Sequence, residues 1–159
     1  MLICLTVVGC GEEEKFVFKS HHDIFQVTLS GDKKFLHRFP SSIYLGKGKH
    51  ASKWMYILKG EKTFGAELVI VPENWKTAED RAGVLMTQKK KFLASGDFKE
   101  VGIALVKGEN YTLYKGAFRD IKAYAVIKIT DNTLVCVIYG GKVDEAVAKD
   151  FFDSISFKE

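Results

Sequence analysis

The sequence predicts an α+β fold, a single antiparallel β-sheet packed by two α-helices. Three observations carry this expectation. Most of the chain beyond residue 15 alternates apolar and polar residues in short segments, the mark of strands with one buried face. Gly, Asn or Asp punctuates most of the gaps, and the hairpins are too short for the crossovers that parallel strands require. Two longer segments break the alternation and repeat apolar residues at three and four, as helices do. The resulting order of strands, helix, strands, helix predicts helices lying against one sheet.

The strands expected in order are 15–20, 25–29, 35–38, 42–45, 54–58, 66–71, 101–107, 111–118, 122–130 and 134–139. The clearest hairpin joins AYAVIKI to LVCVIYG, with Asp131-Asn132 as its turn; a second turns at Gly108-Glu109-Asn110. In the first helix, 77–95, the residues Ala82, Leu85, Met86, Phe92 and Leu93 share a face, and Lys89, Lys90 and Lys91 cover much of the other. Thr77 suits its N-cap, Glu79 and Asp80 suit the positive end of its dipole, and Gly96 stands where a left-handed C-cap is expected. The second helix, 144–154, repeats Val147, Ala148, Phe151, Phe152 and Ile155 and opens on Asp144 and Glu145.

The first eleven residues, MLICLTVVGCG, are an apolar run ending in small residues around a cysteine, followed at once by Glu12-Glu13-Glu14. Val7-Val8-Gly9-Cys10 resembles the bacterial lipobox, in which an aliphatic residue, a tolerant position and a small residue precede a cysteine. That resemblance implies a lipoprotein signal remnant over 1–9, a lipidated Cys10 with a short acidic tether over 10–15, and one α+β domain over 16–159. The implied location is extracytoplasmic, anchored to a bacterial membrane, with acyl lipid as one contact and an envelope protein as another. Apolar runs of this length also suit a buried strand, so a second reading stays open: an intracellular interaction domain with residues 2–8 as its first strand. If residues 1–9 are removed and Cys10 is acylated, Cys136 is left without a partner, inside the apolar run LVCVIY. A disulfide framework is then excluded.

Two further segments carry a second resemblance. Val71-Pro72-Glu73-Asn74-Trp75 leads into the first helix, and AKDFFDSISF places a final strand-like Ser-Phe after the second. Together with the element order across 16–158, these resemble the PsbP-like and DcrB-like α/β/α sandwich superfamily. The resemblance implies an envelope lipoprotein or accessory module, generally without known catalysis.

The composition excludes several function classes. The net charge is +4, from 24 Lys+Arg and 20 Asp+Glu, and 21 of the basic residues are lysine, so the arginine-led recognition of nucleic acid is absent. No G-x-S-x-G, P-loop or G-x-G-x-x-G is present, and no cofactor is implied. His21 and His22 are adjacent and would point to opposite faces of an extended chain, so they could share a metal only within a turn. A hydrolase or transferase with a site assembled only in three dimensions stays open, with His37 or His50 as its candidates.

Surface features are more telling than motifs. Between residues 33 and 62 eight basic residues face one acidic residue, Glu61. Lys47, Lys49, His50 and Lys53, around the loop 46–53, form the candidate membrane or partner surface, since lysines near an anionic leaflet contribute about 1 kcal/mol each. Lysines of this kind also simply solvate strands and guard sheet edges. Trp54, Tyr56, Tyr111 and Tyr114 are the candidate aromatics of a cleft between sheet and helix. The sequence assigns no oligomeric state.

Overall fold

The computed structural model describes residues 13–158. Alternating segments become ten strands, β1 (Lys15–Lys19), β2 (Phe25–Ser30), β3 (His37–Gly46), β4 (Lys49–Leu58), β5 (Lys62–Ile70), β6 (Lys99–Val106), β7 (Glu109–Phe118), β8 (Ile121–Ile129), β9 (Thr133–Gly141) and β10 (Ser156–Phe157). The two helices are α1 (Ala78–Ser95) and α2 (Glu145–Asp153). Every strand pairing is antiparallel.

The expectation of a single sheet packed by two helices is wrong. The chain is mostly β and forms two sheets, a seven-stranded one in the order β3-β4-β5-β9-β8-β7-β6 and a three-stranded one in the order β1-β2-β10. The reason lies in the central strands. Leu134, Cys136 and Ile138 of β9 join one core, while Val135 and Val137 join the other, so both faces of this strand must be covered. α1 covers one face, placing Leu85 and Phe92 on β9 and its neighbours. The opposite face needs more apolar area than the nine residues of α2 supply. The small sheet therefore shares it, bringing Phe18, Phe25, Val27 and Leu29 onto Tyr56, Leu58, Phe64 and Leu68.

Local chemistry explains the connections. The turns Lys47-Gly48, Lys107-Gly108 and Arg119-Asp120 all have positive φ at both central residues, the geometry that matches the twist of two-residue hairpins. At Asp131-Asn132 the Thr130 and Thr133 hydroxyls close the turn against each other. Residues 37–38 of the expected strand 35–38 and all of 42–45 belong to one ten-residue edge strand, β3, where Pro40 is tolerated, while Phe35 ends a short 3-10 turn before it.

α1 begins with a capping box, the Asp80 amide donating to Thr77 Oγ1 at 3.1 Å and the Thr77 amide to the Asp80 carboxylate at 3.3 Å. The Thr77 hydroxyl, donating to the Asp80 carboxylate at 2.9 Å, and then the Thr77 amide hold that carboxyl below its ordinary pKa. Its buried stripe runs through Leu85, Gln88 and Phe92, whereas Met86, expected inside, is 42% exposed. Gly96 is not left-handed: its φ is −115°, and Asp97 takes the positive φ instead. Glycine is required at 96 because a Cβ there would overlap the Ala117 carbonyl oxygen and the Phe98 ring. α2 is capped by Asp144, whose carboxylate accepts from the Val147 amide at 2.8 Å.

Taking the β3–β4 turn as the upper end of the large sheet, the β4–β5 and β7–β8 turns and the end of β9 lie at its lower end. β1 enters from below, where Gly31 N–H donates to the Glu14 carbonyl at 2.8 Å.

Candidate functional site

A cleft of about 600 Å³ opens at the lower end, between α2, the β2–β3 loop that joins the two sheets and the β4–β5 turn. Its floor is the base of the core, Leu29, Leu58 and Phe64. Tyr139 from β9 and Phe151 from α2 stack at 3.8 Å on one wall, and Phe35, more than half exposed, stands on the loop after β2. Lys15, Lys59 and Lys62 reach the cleft from β1 and the β4–β5 turn, and Glu13 and Asp150 are on its walls. Asp32 and Glu61 line it too, but each is already engaged, with Lys34 and Lys142 respectively, both at 2.9 Å. Hydrogen bonds from those lysines hold both carboxyls below the ordinary range. Burial, reinforced by the negative charge of Glu13, raises the Tyr139 phenol.

The candidates from sequence do not converge on this cleft. Lys47, Lys49 and His50 are exposed at the upper tip of the β3–β4 hairpin, with the His50 ring 5.3 Å from Tyr44. Lys53 departs from them: it is three-quarters buried and pairs with Glu67 at 3.1 Å. Position along β4 explains the split: Lys49 and His50 lie beyond the last pair with β5, Ser52–Ile70, whereas Lys53 is opposite Val69 and diagonal to Glu67. Leu58 is nine steps along the strand from Lys49, so the tip stands roughly 30 Å from the cleft end.

The four aromatics also separate. Trp54 and Tyr56 lie together on β4, their rings parallel and 6.4 Å apart, with the His21 ring stacked on Trp54 at 4.5 Å. Tyr56 is buried, its hydroxyl accepts from the His21 amide at 2.9 Å, and burial raises its pKa. Tyr111, four strands away on β7, or about 19 Å across the sheet, stacks on Phe157 at 5.8 Å. Tyr114 faces the α1 layer, where the Lys89 ammonium lies 5.9 Å from its ring. All four therefore pack the fold rather than line one cleft. Phe35, Tyr139 and Phe151, which do line it, carry no local signal, because they come from a loop, a strand end and a helix.

His21 and His22 do lie in a turn, with rings 4.0 Å apart and His22 at positive φ. Partial burial, with the neighbouring His22, lowers the His21 pKa. Among the described residues no group of three or more His, Cys, Asp or Glu is placed to hold a metal. His37 and His50 both lie outside the lining of the cleft. The Gly46–Lys49 segment is a hairpin turn rather than a phosphate loop. No helix among the described residues is long and apolar enough to cross a membrane.

Cys136 is fully buried, and burial together with the charge of Glu67 pushes its thiol well above the ordinary value. Iodoacetamide at neutral pH is expected to leave Cys136 unmodified in the folded chain and to alkylate it after unfolding, as read by peptide mass. Cys10 and the lipobox lie outside the described residues.

Comparison with known proteins adds no identity: no family model, no curated protein and no solved structure matches the chain.

Proposed function

We propose that this chain is a binding or accessory module of the bacterial cell envelope, non-enzymatic and held at the membrane surface through acylated Cys10, with the lower cleft as its ligand site. The reading starts from Val7-Val8-Gly9-Cys10, where small residues expose the scissile bond and only sulfur forms the thioether. The observation that carries it further is the position of Glu13 on the cleft wall. Glu13 is three steps along the chain from Cys10, a reach of about 10 Å at most. An anchor at Cys10 therefore holds the cleft beside the bilayer. The same anchor does not by itself bring Lys47, Lys49 and His50 to the lipid, because the hairpin tip is at the opposite end of the sheet. In this arrangement the hairpin is the part of the domain offered to an envelope protein, and its basic tip favours an acidic contact.

Growth of the expressing bacterium with a labelled fatty acid tests the anchor. Label is expected on the unmodified protein and lost in Cys10→Ser. Label retained by Cys10→Ser, or none on the unmodified chain, contradicts the reading.

A further inference from the structure

We infer that the lower cleft binds a single-chain anionic amphiphile, an aliphatic carboxylate of the fatty-acid class. The shape and the charge of the site point the same way. About 600 Å³ is within the range of small-molecule sites, roughly 300–1,000 Å³. Phe35, Tyr139 and Phe151 offer aromatic surface to an aliphatic chain, above a floor of Leu29, Leu58 and Phe64. Phe35 is 55% exposed on its loop, an apolar side chain that the core does not bury.

The charges select the head group. Asp32 and Glu61 are neutralised by Lys34 and Lys142, which leaves Lys15, Lys59 and Lys62 without an ion pair among the described residues. Against these three ammonium groups stand the carboxylates of Glu13 and Asp150, equally without an ion pair. The balance is one positive charge, which suits one carboxylate and disfavours a dianionic phosphate head. Lys59 and Lys62 flank the β4–β5 turn and receive the carboxylate, while the chain lies toward α2 along Tyr139 and Phe151.

The site is made by the folded domain and does not need the lipid on Cys10, so the two readings fail separately. Calorimetric titration of dodecanoate, below its aggregation concentration, into the full Cys10→Ser chain tests the inference. One saturable site per chain is expected. Dodecanol, with the same chain and no charge, is expected to bind about tenfold more weakly, as is dodecanoate to the double variant Lys59→Glu/Lys62→Glu. Phe35→Asp, at an exposed position, is expected to weaken binding without lowering the unfolding temperature. The inference is overturned by no saturable binding, by dodecanol binding as tightly as dodecanoate, or by unchanged affinity in the lysine double variant. Dodecanoate binding in a chain whose native form takes up no fatty-acid label keeps this inference and removes the anchor.

Discussion

Replacing Phe18 with Ala is expected to destabilise the domain by about 3–5 kcal/mol, the usual cost of deleting a buried phenyl ring. Phe18 is on the short strand β1, 2% exposed, and its ring lies 5.6 Å from Phe25, 4.9 Å from Tyr56 and 5.5 Å from Phe64. Phe25 belongs to the same small sheet, but Tyr56 and Phe64 belong to the large one. The ring is thus a tie between the two sheets, and aromatic edge contacts add to the area it buries. A loss of this size is a large share of the 5–15 kcal/mol typical of a domain. Urea unfolding of the two chains, compared at equal slope, measures it. A loss below about 1 kcal/mol would mean that β1 lies on the surface and that the second sheet contributes little.

Gly96→Val is expected to cost about 3 kcal/mol or more, at the upper end of overpacking, because the obstacle is backbone as well as side chain. The Ala117 amide donates to the Gly96 carbonyl at 2.9 Å, which draws the end of α1 against β7. A Cβ at 96 would overlap Ala117 oxygen and the Phe98 ring, and a Cβ at Gly116 would overlap the Gly96 carbonyl in return. Phe98 is itself stacked on Phe92 at 5.1 Å, so it has little room to retreat. Thermal unfolding of Gly96→Val reads the effect, with Gly83→Ala as the comparison, since nothing lies within 4 Å of a Cβ at 83. Equal unfolding temperatures for the two variants would show that the helix end is not held against the sheet.

Element identity was legible because it is local. The alternation of FQVTLS, the helical repeat at Leu85 and Phe92, and the N-cap Thr77 just before that helix are each set by residues close together in the chain. Sheet membership is not local. The β1–β2 hairpin alternates like any other, and nothing in KFVFK or FQVTLS distinguishes a separate sheet from two more strands of the first. The continuous apolar run LVCVIY did carry a warning, for a strand buried on both faces needs two covering layers. Lys53 was misplaced through a boundary: beginning β4 at residue 54 rather than at Lys49 hides that Lys53 already lies within the β4–β5 pairing, beside Glu67. The cleft was illegible for the same reason as the second sheet, since Phe35, Tyr139 and Phe151 come from a loop, a strand and a helix far apart in the chain and share one lining only in the fold.

The proposed anchor at Cys10 holds the chain to a membrane with its cleft beside the lipid. The most direct test is the intact mass and N-terminal fragment spectrum of the protein purified from membranes of a bacterium that expresses it. The expected result is a chain that begins at Cys10 and carries a diacylglyceryl group on its sulfur. An unmodified chain beginning at Met1 or Leu2 would contradict the claim and return residues 2–8 to the body of the protein.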